Sequence, residues 1–342
     1  MTRALIVHRA GPGLSVQDQG RPGYLAYGLS RGGAADRLAL VEGAALLEQD
    51  ESHAALEMVG MGGEFEATED MRIALTGAPM RASIDGVRVA WSASHSLPAG
   101  TRLSIGAAES GTYGYLHLGG GLATPSRLEA RSAHMTAGVG APVQPGSSLP
   151  VGEDGNPGST GLGVDAEPRF DGGEVRFVPS LQTEFFDPAE LTRFEAIEFN
   201  RDARGNRMGA RFLPQGDGFQ NETGLSILSE VIVPGDIQIT GDGTPFVLLC
   251  ECQTTGGYPR IGSVLPADLP RVAQAQPGAS LRFRLLNLEE AIEVERREQE
   301  RRKGLHRTLR PLIRDPRTIP DLLSYQLISG VTAGDDLEKA AK

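Results

Sequence analysis

The chain has 342 residues, enough for two domains of ordinary size, and 45 glycines without a collagen-like period, which favours a fold with many turns. A formal charge of −11 argues against a nucleic-acid partner, since affinity for a phosphate backbone rests on clustered Lys and Arg. No uninterrupted apolar stretch approaches the roughly eighteen residues of a membrane span, and the run Ala4 to Val7 is too short for a secretory signal.

In chain order, Ala4 to His8 is the first predicted strand. Asp36 then caps a predicted helix whose Leu38, Val41, Ala45 and Leu46 form one apolar stripe, suited to packing on a barrel. Arg72 to Thr76, Arg102 to Ile105 and Thr112 to Leu118 read as strands. Arg81 to Trp91 is the clearest hairpin, because Ala82, Ile84, Val87 and Val89 flank Asp85-Gly86, a favoured type I′ turn pair. Between Gly146 and Gly173 no apolar period survives among the Gly, Pro, Ser and acidic residues, which marks the boundary between two units.

Beyond it, Asp187-Pro188-Ala189-Glu190 opens a short helix with a cap, a first-turn proline and an acid three residues on. Glu174 to Val178, Ser226 to Val233, Asp236 to Thr240, Pro245 to Cys250 and Leu281 to Leu285 are predicted strands, a density that implies sandwiches or barrels. The chain therefore reads as mainly β, with units at 1–160 and 161–288 and a charged helical tail at 289–342. From Leu288 to Lys303 the tail is strongly helix-forming and expected to face solvent, and Leu322 to Ile328 is apolar enough to dock. Arg296 to Arg317 holds nine Lys or Arg against three acids, a local +6 that leaves −17 elsewhere; such a segment could dock on the acidic body or on an acidic partner, but a simple solvated helix is the preferred reading.

The lysines are Lys303, Lys339 and Lys342, all in the tail, so neither β unit offers a P-loop lysine, a Schiff-base lysine or a biotin-carrying lysine. Cys250 and Cys252 would share one face of a strand, which suits a pair of cytoplasmic thiols better than a bridge. The six histidines lack metal-ligand spacing, and no metal is expected. His117, on the strand face of Tyr113 and Tyr115, is the one to inspect. Gly28-Leu29-Ser30-Arg31-Gly32 matches the nucleophile-elbow pattern, but Gly32-Gly33 separates it from the helix capped at Asp36, so the match reads as accidental.

Three polar clusters remain. Gln17, Asp18 and Arg21 lie in a Gly-Pro loop and could orient a small amide or carboxylate, or Asp18 and Arg21 could simply pair across the turn. Arg207 follows Asn206, and Glu230 interrupts an apolar strand as a buried general base or as the ion-pair partner of Arg207. Gln253-Thr254-Thr255-Gly256-Gly257-Tyr258-Pro259 follows an apolar strand; its glycines permit close backbone approach and its hydroxyls and amides can donate, although a strand-ending turn has the same composition. Asp18, Arg21, Arg207 and Glu230 are thus the catalytic candidates, and Gln17 with Gln253, Thr254, Thr255, Gly256, Gly257 and Tyr258 the binding candidates.

Taken in series, these segments resemble the carboxyltransferase-type proteins that include the 5-oxoprolinase C-type subunit, KipA and allophanate hydrolase subunit 2. The resemblance spans roughly residues 3 to 288 and rests on Val16 to Gly23, Ala74 to Ala78, Asn206 to Gly209, Ser229-Glu230 with Val233 to Gln238, and Gln253 to Pro259. It implies two cyclophilin-like β-barrel domains and a KipI-like companion, resembling the B-type component of 5-oxoprolinase, with an A-type component as a further partner. It also implies ATP-dependent opening of 5-oxoproline to glutamate, with ATP acting through the assembled complex. The alternatives are carboxyl transfer from biotin on a separate carrier to a urea-like amide, and KipA-like binding of a kinase inhibitor. The chain departs from the family at Cys252, where an arginine is usual, at Glu251, where aspartate is common, and at Ala130-Arg131-Ser132-Ala133 in place of Ser-Arg-Ser-Thr.

Overall fold

Alternation in Gly63–Ala67 turns Phe65 and Ala67 inward and Glu64 and Glu66 outward, where they meet Arg9 and His8 of the neighbouring strand Ala4–Ala10. Patterns of this kind build two sheets in the first unit. The computed structural model describes residues 3–158, 160–220 and 227–313. One sheet runs Ser148–Pro150, Ala4–Ala10, Gly63–Ala67, Arg102–Ala108, Met80–Ile84, Val87–Val89. The other runs Ser15–Gln17, Ala55–Val59, Tyr113–Leu118, Met71–Gly77, Ala93–Leu97, Leu162–Gly163, Arg310–Pro311. Leu5, Val7, Phe65, Ile73, Leu103 and Leu116 are among the residues buried between them. The predicted hairpin is present, and its turn residues Asp85 and Gly86 have φ of 46° and 81°, as a type I′ turn requires.

Strands Met71–Gly77 and Tyr113–Leu118 are buried at every residue, because the helix α1 (Arg37–Leu46) covers the face opposite the core. Strand periodicity sends Ile73 and Leu75 into that core and turns Arg72 and Thr76 toward the helix, where they donate to the carbonyls of Leu47 and Ala39. Asp36 caps α1 as predicted, accepting from the Ala39 amide at 3.1 Å. His117 lies in the same layer, 2.8 Å from Thr76 Oγ1, and burial pushes its pKa down to about 3, which makes it a neutral packing group. Gly43 allows this approach, since a methyl group there would overlap the imidazole. Gly43→Ala is therefore expected to destabilise the protein by about 1–3 kcal/mol through overpacking. An unchanged urea midpoint would show that α1 can shift away at no cost.

The second unit is a closed barrel in the order Gly172–Val178, Arg260–Val264, Asp236–Ile239, Pro245–Leu248, Gly209–Pro214, Phe199–Asn206, Ser280–Leu285. Its closing pair, Gly172–Val178 with Ser280–Leu285, is parallel. Seven of the eleven phenylalanines fill its core, and α2 (Pro188–Ala196), capped by Asp187, contributes Phe194, whose ring centroid lies 4.9 Å from that of Phe199 and 5.0 Å from that of Phe283. The predicted strand Ser226 to Val233 is reduced to Glu230–Val231, which pairs with Thr255–Gly256 alone; Ser226 itself lies outside the described residues. A third helix, α3 (Leu269–Gln274), has no counterpart among the sequence expectations.

The C-terminal helix α4 (Leu288–Gly304) has the capping box Asn287/Glu290 and carries i,i+3 and i,i+4 Arg–Glu pairs on its exposed faces. The chain then returns to the first unit. Leu305 packs with Leu46, Leu47, Ala74 and Val164; Arg301 pairs with Glu167 at 2.7 Å; and Arg310–Pro311 adds a strand beside Leu162–Gly163. The basic segment thus docks on acidic groups of the body, while Leu322 to Ile328 lies outside the described residues.

Candidate functional site

The strand Ser15–Gln17 delivers Asp18 and Arg21 into a loop that they hold together, without an ion pair between them. The Asp18 carboxylate accepts from the amides of Gly20, Arg131 and Ser132 at 2.9, 2.6 and 3.3 Å. The Arg21 guanidinium, 1% exposed, donates to the carbonyls of Arg127, Ala130 and Ser132 and to the Ser132 hydroxyl. Both residues therefore brace the loop containing residues 127–132. Gln17 is buried beside them, donating to Ser15 Oγ and the Ala133 carbonyl, while its Oε1 has no partner among the described residues.

Arg207 leaves the turn between Phe199–Asn206 and Gly209–Pro214 and crosses to the first unit. Its Nε donates to Glu251 at 2.6 Å, Nη1 to Glu57 and Nη2 to the Gly33 carbonyl. Glu57 also accepts from Tyr115 Oη and the Ala35 amide, and Glu251 from the Thr136 amide and hydroxyl. Burial favours the neutral form of Glu251, but the charge and hydrogen bond of Arg207 outweigh it and hold the carboxyl below its ordinary range. Sequence reading missed Glu57, although a carboxylate inside Ala55-Leu56-Glu57-Met58-Val59 is the signal that flags it, since an apolar strand buries a charge only against a partner.

Glu230 does not meet Arg207. It stands on the short strand Glu230–Val231, its side chain is 48% exposed, and it pairs with Arg260 and Gln182, each at 2.7 Å. The expectation of a buried base or an Arg207 partner is corrected on both counts: on a strand with one neighbour, the carboxylate stays about half exposed among the described residues and takes its cation from Arg260. Facing it is the glycine-threonine loop. The Thr254 carbonyl accepts from Ile232, Thr255–Gly256 pairs with Glu230–Val231, and the Gly257 carbonyl accepts from Ile227. Gln253, Thr255 and Tyr258 are exposed, whereas Thr254, Gly256 and Gly257 are half-buried. Under Gly256 lies Gln238, a buried residue whose Nε2 has no partner among the described residues; a methyl group on Gly256 would stand 2.6 Å from that nitrogen. The loop thus covers a polar group formed by Gln182, Glu230, Arg260, Asp236 and Gln238, with an unused amide donor.

The two clusters are joined through Cys250 to Thr254. The Cys250 carbonyl accepts from Gly32, Glu251 belongs to the Arg207 junction, and Cys252 packs among Ile232 and Leu248, leaving no charge where the resembling family has arginine. Burial pushes the Cys250 and Cys252 thiols up to about 11 and 12, so neither is a reactive thiolate at neutral pH. Ser30 Oγ lies 2.9 Å from His134 Nε2, a contact sequence reading did not foresee. His134 Nδ1 accepts from the Ala137 amide at 3.2 Å and lies 3.7 Å from Glu251 Oε2; in the neutral ring that amide contact places the proton on Nε2, which donates to Ser30 and has no lone pair to activate the hydroxyl. Among the described residues no group of three His, Cys, Asp or Glu could hold a metal, and no helix is long and apolar enough to cross a membrane.

Proteins named as the C-type subunit of 5-oxoprolinase are similar over most of this length. The one from Haemophilus influenzae is 32% identical over 83% of this chain and 92% of its own, and that from Escherichia coli 32% identical over 87% and 96%. The crystal structure of the Kluyveromyces lactis urea carboxylase shares the fold, with a TM-score of 0.77 at 21% identity, covering 92% of this chain and 31% of that one. With residues 27–285 matched by the model of the family described as carboxyltransferase domain, subdomain A and B, the chain belongs to that family.

Proposed function

We propose that the chain is the C-type subunit of an ATP-dependent 5-oxoprolinase-like amidohydrolase, opening a cyclic amide only when companion subunits are present. Similarity to two proteins named as that component of 5-oxoprolinase, over more than nine-tenths of their length, carries this reading. The glycine-threonine loop is its amide-binding wall: its Thr254 and Thr255 hydroxyls and its N–H groups suit a carbonyl oxygen that gains negative charge in the reaction, and the buried Gln238 amide lies behind them. Asp18 and Arg21 then act by positioning, Arg207 holds the two units together, and Glu230 with Arg260 polarises the rim.

The residues present do not fit a nucleotide cradle of the P-loop kind. No lysine precedes Lys303, and Thr255-Gly256 enters a strand pair where a P-loop needs a helix N-terminus. ATP chemistry accordingly belongs to KipI-like and A-type companions, in a cytoplasmic complex. Co-expression with them is expected to give 5-oxoproline-dependent ATP hydrolysis, and no turnover with every component present would overturn the reading. Thr254→Val with Thr255→Val is expected to lower kcat/KM by about 10²-fold, as loss of oxyanion donors does, while the complex still co-elutes. Unchanged kcat/KM would remove the loop from the site.

The family description favours one second reading, a biotin-dependent carboxyltransferase component acting on a urea-like amide. Biotin would then sit on a separate carrier, and avidin would abolish activity; avidin-insensitive turnover leaves the first reading.

A further inference from the structure

Helix α4 lies beyond the family match, which ends at residue 285, and it builds one wall of a cavity of about 390 Å³ against the first unit. Gln299, Arg302 and Lys303 come from α4, and Gln19, Arg37 and Glu51 from the facing segments. Arg37 is the unusual member. It is the first residue of α1, where the helix dipole disfavours a cation. Its cap neighbour Asp36 gives it no counter-charge, being turned to the Ala39 amide, Arg169 and Gln274.

A guanidinium has five N–H donors, and the hydrogen bond that Arg37 makes among the described residues is from Nη2 to the Gly32 carbonyl at 3.2 Å, leaving its buried Nε unpartnered. Arg31 behind it donates to the Gln19 carbonyl, and no carboxylate lies within ion-pair distance of either arginine among the described residues. Arg302 pairs through Nε with Glu298 at 2.6 Å, which leaves its terminal nitrogens without a carboxylate. Burial, aided by the nearby charges of Arg31 and Arg302, pulls the Arg37 pKa down to about 10, so the cation is retained at neutral pH against its surroundings. Glu51 is the acid on the wall, and it is exposed.

We propose that this cavity binds a small polyvalent oxyanion, a phosphate or a dicarboxylate, with Arg37 at its base and Arg302 and Lys303 closing over it from α4. Two guanidiniums offer planar, charge-assisted donors, the Lys303 ammonium adds a mobile point charge, and the Gln19 and Gln299 carboxamides can complete the shell. The ligand would join the segment beyond the family match to the first unit, so occupancy would also stabilise the docking of α4.

Titration calorimetry of the full chain at low ionic strength, with inorganic phosphate and with glutarate in separate arms, tests the proposal. Saturable binding of at least one is expected, and the tighter arm identifies the class. Arg37→Gln is expected to weaken it about tenfold and Lys303→Gln several-fold, with the surface control Arg88→Gln unchanged. Lys303 is exposed and makes no hydrogen bond within the described residues, so its variant keeps the test valid if Arg37→Gln folds poorly. Absence of saturation by either anion at about 10 mM, or equal affinity in the Lys303 variant and the control, overturns it.

Discussion

Replacing Arg207 by alanine is expected to lower the unfolding free energy by about 3–5 kcal/mol, the cost of leaving buried carboxylates without their cation. Glu57 and Glu251 are 0% and 1% exposed at the side chain, and both reach Arg207 from segments distant in sequence. Arg207→Lys would keep the charge but not the fork that serves Glu57, Glu251 and the Gly33 carbonyl together, so it should recover only part of the loss. Glu57→Gln in the alanine background should recover stability by removing one stranded charge.

The pH dependence follows from Glu251. Its carboxyl is held below the ordinary range by Arg207, so its contribution is complete above the unfolded value and is lost as the pH falls through the folded one. The gap between wild type and Arg207→Ala should therefore narrow on acidification below about pH 4.5. Urea midpoints across that range check this; a loss under about 1 kcal/mol at neutral pH would mean that water, not Arg207, compensates the two acids.

The second large effect is expected at Arg169, which is 1% exposed and binds Glu42 through both terminal nitrogens at 2.8 Å and Asp36 through Nε at 2.8 Å. It leads out of the segment between the units and anchors on α1, which Gln274 also grips through Asp36 from the second unit. Arg169→Met should cost about 3–5 kcal/mol at neutral pH. Burial already raises the Glu42 pKa despite the arginine, and without it the carboxyl would bind its proton more tightly still. A raised carboxyl stabilises the fold below the unfolded value and ceases to do so as the pH rises through the folded one, so the deficit of the variant should grow from about pH 5 toward neutrality. Adding Glu42→Gln should shrink both the deficit and its pH dependence. A deficit independent of pH would locate the damage in packing.

Local structure was legible wherever a short-range rule sufficed. Asp85-Gly86 set its own turn, Asp36 and Asp187 capped the helices they precede, and alternation placed the strands that cross both units. Charge asymmetry in the tail left docking on an acidic surface and a plain solvated helix both open, with the solvated helix preferred; Arg301 with Glu167 and Arg310 with Asp165 show docking on the body instead. Segment order and wording, including Arg207 after Asn206 and the run Gln253 to Pro259, already carried the family, because they need no knowledge of distance.

Partnership was not legible, because it is set between residues far apart in the chain. Arg207 could be read as a functional cation from its neighbours, yet its acids lie 150 and 44 residues away, and the nearer-looking candidate Glu230 turned out to face solvent with Arg260. Ser30 and His134, 104 residues apart, meet in a geometry that only the Ala137 amide settles, by fixing which ring nitrogen holds the proton. Residue order alone was enough for the β-rich class, the local turns and caps, and the family, whereas which charges are buried, with whom, and which donors stay unused emerged only from the folded chain. Burial makes the difference, since a charge costs little in water and several kcal/mol in a low dielectric, and only the folded chain determines which of the two environments a residue occupies.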